Sequence, residues 1–171
     1  MDDRNTPEAG EQDLWPFALA FYAQPGIAPL CLRLQAEGGT DVMVLIAHCF
    51  AFARQGAPLT MAEIRTLGRH TQDWRRRTVL PLRALRIDLR APVVHLPEAE
   101  REAFRDRLKR AELAAEEVQA GMISIWLAAR HAEKSGDFAQ TLRGITGAAA
   151  LSEADLALLT AAARDAIPSS A

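Results

Sequence analysis

Residues 42–53, VMVLIAHCFAFA, carry no charge and are apolar on every side of a helix. A helix that is hydrophobic all round is a buried one. Its twelve residues are too few to cross a bilayer, which needs about 20. The pattern predicts a central helix over 41–55 that the rest of the chain must cover, with Gly56 and Pro58 beyond its end. Before it, an aromatic helix over 13–23 stops at Pro25-Gly26. A second helix over 28–37 ends at Gly38-Gly39, which accept a left-handed cap.

After it, Thr60 and Glu63 form a capping box, and Leu59 and Ile64 take the two positions of a hydrophobic staple. A fourth helix therefore starts there and reaches about Arg69. A fifth spans 72–90, kinked or split at Pro81, and Pro92 and Pro97 mark a connector over 91–97. The sixth begins near Pro97, with Glu98, Glu100 and Glu102 at its positive end, and runs to about 132. Along it Phe104, Leu108, Ala111, Ala115, Val118, Met122 and Ile125 recur at heptad-like spacings. That stripe reads either as packing on the rest of the bundle or as a dimer seam. The helix would be about 50 Å long against about 40 Å for a compact domain of this size. It must project, break near Gly121 or find a partner. A shorter helix over 138–146 and a last one, capped by Ser152 and reaching about 166, complete the pattern. The fold class predicted is all-α: one domain of six to eight helices over 13–167, after a disordered acidic tail over 1–12.

Composition agrees. The chain has 171 residues, 49% of them apolar, enough for one domain with a substantial core. The net charge of −2 implies no polyanionic partner, and no aromatic–basic interleaving of a nucleic-acid surface is present, so no nucleic-acid partner is expected. Cys31 and Cys49 both lie in apolar helical sequence, as buried thiols of a reducing compartment do. The polar, acidic start does not read as a secretory signal. A cytoplasmic protein without a membrane span is expected.

Charge is nonetheless localised. Residues 65–90 hold eight Arg and two Asp, +6, against −5 over 1–64 and −3 over 91–171. On a continuous helix Arg76, Arg83, Arg86 and Arg90 share a stripe about 80° wide, opposite Trp74, Thr78, Leu82, Leu85 and Leu89. The stripe suits an acidic protein or an anionic small molecule. The other reading pairs it internally with the sixth helix, where Lys109, Glu112 and Glu116 lie one turn apart; a split is expected, with Arg83 and Arg86 structural and Arg76 and Arg90 exposed and free to bind. His48 beside Cys49 points about 100° away from it, which suits a core histidine better than a ligand, so no metal and no cofactor is expected. Phe17, Tyr22, Met43, His48, Phe50 and Trp126 are core residues or, alternatively, the lining of a pocket between helices for an apolar or aromatic ligand. No nucleophile–base arrangement or phosphate-cradling loop is present, so no catalytic residue is assigned.

Three blocks carry a family resemblance. One holds Trp15, Phe17, Tyr22, Pro25-Gly26, Cys31-Leu32, Leu34-Gln35 and Asp41-Val42. Another holds Trp74, Val79, Pro81-Leu82-Arg83 and Leu85-Arg86, and the third Lys109, Glu112-Leu113 and Glu116. The order over 13–119 resembles a family of small bacterial proteins of unknown function, leaving 120–167 as C-terminal helices outside it. Two positions depart: the pattern has Asn where this chain has Met43, and Trp where it has Phe50. The resemblance implies an all-helical cytoplasmic protein and supplies no activity. The first expectation for function is a non-enzymatic interaction or regulatory protein, plausibly dimeric, that binds through the arginine surface. The alternative is a small-molecule binder with an inter-helix cavity.

Overall fold

In the computed structural model, which describes residues 13–131, 135–147 and 149–166, Asp41 opens the central helix. Its carboxylate accepts from the N–H groups of Met43 at 3.1 Å and Val44 at 3.5 Å, satisfying donors that a helix start leaves bare. The capped helix, α3 (Val42–Gln55), buries every residue from Val42 to Ala51. Packed around it are α1 (Leu14–Tyr22), α2 (Ile27–Gly38), α4 (Met61–Trp74), α6 (Glu98–Ala128), α7 (Phe138–Thr146) and α8 (Glu153–Asp165). With α5 (Leu80–Asp88), the described residues form eight α-helices and no strand, an all-α fold. The tail expected over 1–12, and residue 167, lie outside the described residues.

Two capping boxes fix the register of the bundle. Thr60 and Glu63 start α4, and Ser152 and Asp155 start α8. Glu63 also receives Arg130, whose guanidinium donates to it at 2.5 Å and to the Ala57 carbonyl at 2.8 Å, so the end of α6 is clasped to the start of α4. Gly136 passes against Leu59 so closely that a Cβ there would overlap the Leu59 carbonyl. Only glycine permits that approach. Among the described residues no single helix is long and apolar enough to cross a membrane.

The expected break between a fourth and a fifth helix does not exist. α4 continues through a π-helical turn, Arg75–Val79, directly into α5. The turn accommodates Pro81, which lacks an N–H and crowds the carbonyl one turn earlier. The Leu80 N–H reaches back to the Arg75 carbonyl, and the Thr78 hydroxyl donates to the Trp74 carbonyl at 2.6 Å. A π turn holds an extra residue, so it also rotates everything after it relative to a continuous α-helix.

Beyond that turn the architecture changes. α5 buries no residue and packs on the π turn and α6. With the connector 89–97 and the first half of α6 it forms a two-helix arm. α6 runs unbroken past Gly121 for 31 residues, about 46 Å, and stops at Ala128 rather than near 132. Its buried residues include Arg101, Leu108, Glu112, Ala115 and Gln119. The heptad-like stripe therefore does not pack on the bundle as one face. Leu108 and Ala115 belong to the buried face, but Phe104, Val118 and Ile125 are 46%, 48% and 73% exposed. The true seam carries charge, which apolar periodicity does not register.

Candidate functional site

The charged seam joins α5 to α6. Arg83 donates to Glu112 at 2.7 Å and to Glu116 at 2.5 Å. Arg86 donates to the other oxygen of Glu112 at 2.6 Å. Below them the Trp74 indole N–H donates to the Ala115 carbonyl at 2.8 Å. Near the arm's end Arg105 donates to the Arg86 carbonyl at 3.2 Å. Asp41 closes the base: the oxygen not committed to capping α3 takes Arg75 Nε at 3.0 Å and Gln119 Nε2 at 3.1 Å. One carboxylate thus ties the central helix, the π turn and α6 together.

The two glutamates stand one turn apart in different states. Burial pushes the Glu112 carboxyl up, but hydrogen bonds from Arg86 and Arg83 outweigh it and hold Glu112 below the ordinary carboxylate value. Glu116 goes the other way: burial raises it, Arg83 offsets part of this, and the Glu112 charge adds to the rise. Tyr22 lies near enough to respond. Burial raises its phenol, and Cys31 and the charges of Glu116 and Glu112 raise it further, against Arg83. The three sequence blocks that carry the family resemblance therefore meet here, through Tyr22 and Asp41, Trp74 with Arg83 and Arg86, and Glu112 with Glu116.

The outside of the arm exposes apolar side chains among its charged ones. Among the described residues twelve large hydrophobics are exposed, and nine of them lie on α5, the connector and α6. At the tip are Leu85, Ile87, Val93, Val94 and Leu96, with Val94 81% exposed. His95 beside it holds a left-handed φ of 63°, a strained conformation for a residue with a Cβ. A depression of about 440 Å³ between the connector and α6 is lined by Leu89, Leu96, Ala103 and Phe104 together with Glu100, Arg101 and Arg107.

The structure divides the arginine stripe. Arg83 and Arg86 turn inward onto Glu112 and Glu116. Arg76 stays 71% exposed on its side chain and pairs with Asp73, and Arg90 is exposed. Lys109 is exposed and makes no ion pair among the described residues, unlike the two glutamates grouped with it. Leu85, expected in the core, is 43% exposed.

Phe17, Met43, His48 and Phe50 belong to the buried core and Trp126 packs against it, whereas Tyr22 is 36% exposed. The aromatic rings fill space against each other, Phe17 lying 5.9 Å from Phe21 and 5.2 Å from Phe50. His48 stacks on Phe138 at 5.0 Å, and its Nε2 donates to the Phe138 carbonyl at 3.1 Å. Burial lowers its pKa to about 4, so the ring is neutral. Burial raises the Cys31 thiol to about 12 and the Cys49 thiol further still. Among the described residues no group of three or more His, Cys, Asp or Glu is placed to hold a metal ion.

Sequence reasoning missed Arg75, Gln119 and Arg101. Arg75 stands in a run of three arginines with nothing to single it out, and Gln119 and Arg101 occupy buried positions that an apolar pattern skips. Asp41 was expected as the first residue of the central helix, and neither its capping of α3 nor its place at the base of the seam was foreseen.

Residues 13–123 match the family described as "Protein of unknown function (DUF2390)". The match covers most of the chain, from α1 through nearly all of α6, and the chain belongs to that family. No curated protein and no solved structure matches it.

Proposed function

We propose that this DUF2390 protein is a non-enzymatic interaction protein of the bacterial cytoplasm that acts as a homodimer and presents the α5–α6 arm to an acidic protein partner. One observation carries the reading: the arm is joined by charged groups on its inside and exposes large apolar side chains. Seven of the twelve exposed large hydrophobics of the described residues lie on it, five of them at its tip, and exposed apolar surface of this kind marks interaction sites. Charge supports the partner's sign. Over 61–79, at the base of the arm, the exposed residues include four Arg and one Asp, and such an excess steers an acidic surface toward that end of it. The free, buried thiols of Cys31 and Cys49 suit a reducing compartment.

In this reading the Arg83–Glu112–Arg86 cluster holds the arm in position rather than binding the partner. Arg76 and Arg90 remain at the surface for it. The test is affinity capture with three purified baits: the wild type, Val94→Asp at the tip, and Leu32→Asp, which changes a residue 60% exposed on α2. One protein enriched by the wild type and by Leu32→Asp, lost with Val94→Asp and weakened by added salt, is the expected result. Capture that ignores the change at Val94 would overturn the reading.

A further inference from the structure

α6 exposes one side along its whole length, and that side repeats every seven residues. Phe104, Ala111, Val118 and Ile125 form one row, and Ala114, Gly121 and Ala128 form the row beside it, entered by Arg107. A straight second helix laid along such rows meets the same face at every other turn. The face is flanked by Arg110 and Glu117, both exposed and neither in an ion pair among the described residues.

We infer that a second copy of this chain packs antiparallel along this face, with the two-fold axis crossing between residues 112 and 113. A parallel pair would set each row against itself, Phe104 on Phe104 and Arg107 on Arg107, whereas opposed copies set the Phe104 row against the row of Ala114, Gly121 and Ala128. In this register Phe104 lies opposite Gly121 of the other copy. A large ring then meets a position where nothing lies within 4 Å of an added Cβ. Ala111 lies opposite Ala114, which lets the helices approach closely. The same register sets Arg110 against Glu117, and symmetry makes that pair twice. Steric fit and charge fit thus choose one alignment. A register in which Glu117 faces itself would place like charges together, which is unfavourable. The inference deepens the homodimer reading above and leaves the arm tip around Val94 free for a different partner.

Sedimentation velocity on the full chain tests it. The wild type should dimerise, and Arg110→Glu and Glu117→Arg should each weaken the dimer about tenfold, since each opposes two like-charge pairs in one interface. The double variant should restore wild-type affinity. Gly121→Leu should abolish the dimer by filling the notch for Phe104 while leaving the fold at least as stable, because leucine favours helix more than glycine does. A wild type that stays monomeric at high micromolar concentration overturns the inference. So does a dimer indifferent to Gly121→Leu, or one that the double variant fails to restore. Because none of these changes lies at Val94, failure here is distinguishable from failure of partner capture at the tip.

Discussion

α3 and the α5–α6 arm solve opposite problems. α3 is apolar on all sides and buried on all sides, so the hydrophobic effect holds it directly. α5 buries no residue, and its contact with α6 is made by guanidinium and carboxylate groups. A buried ion pair contributes little net stability, because desolvating the charges opposes their attraction. It does specify geometry, since a misplaced charge is costly. The bundle is therefore stabilised by what it hides. The arm is positioned by what it hides and exposes the rest.

The same substitution should separate the two regions most widely at its first site. Val44 is 4% exposed in α3, and Val44→Asp places a carboxylate with no partner in the core. A cost of about 5 kcal/mol, enough to unfold a marginal domain, is expected from chemical denaturation. Residual cooperative folding at wild-type stability would mean that α3 is not the core.

Next in size is the arm's anchor. Glu112→Ala leaves Arg83 and Arg86 half-buried without their shared acceptor, and a loss of about 3 kcal/mol is expected. Hydrogen exchange should show it first over 80–97, with α3 still protected, because α5 has no buried side chain to retain it. Replacing Arg83, Arg86 and Glu112 together by Met, Met and Leu should restore most of that loss. A triple variant as unstable as Glu112→Ala would show that the ions stabilise the arm outright.

That contrast also explains what the sequence revealed. The helices of the bundle were legible because their signals are local and redundant. Thr60 and Ser152 cap, the glycines after α2 and α3 stop, and apolar residues recur at helical spacing. The arm defeated the same reasoning at two points. The π turn inserts a residue at 75–79 in response to Pro81, and no periodicity announces it. The seam of α6 includes Arg101, Arg105, Glu112 and Gln119, so the apolar stripe mixes buried Leu108 and Ala115 with exposed Phe104, Val118 and Ile125. Pairing with Glu112 and Glu116 was visible because the spacing matched, with Arg83 and Arg86 as the arginines expected to turn inward; the rotation that the π turn imposes was not visible.

Acid should distinguish the regions by pH. His48 is neutral in the core with a pKa of about 4, against about 6.5 when unfolded. The unfolded chain takes up its proton first as pH falls. The bundle's stability from this group is therefore complete above pH 6.5 and lost as pH falls to about 4, a change of about 3 kcal/mol at most. Glu112 is held below the ordinary carboxylate value, so its contribution is present above about pH 4.3 and lost only at lower pH. Urea titrations between pH 7 and 4.5 should show a slope that His48→Gln flattens and Glu112→Gln leaves in place. A slope insensitive to His48→Gln would break the assignment.

The smallest effect on folding is expected where the chemical change equals the largest one. Val94→Asp puts the same carboxylate on a side chain 81% exposed at the arm's tip. It removes no packing and meets no low-dielectric surroundings, so it should alter stability by less than about 0.5 kcal/mol. If the bundle rule held throughout, an apolar residue would be there to be buried, and its loss would cost stability. If the arm is inverted, the loss appears only in association, as capture that disappears while the thermal melt stays in place. A melt lowered by several degrees would mean that Val94 is covered within the chain in solution, and the arm would then follow the same rule as α3.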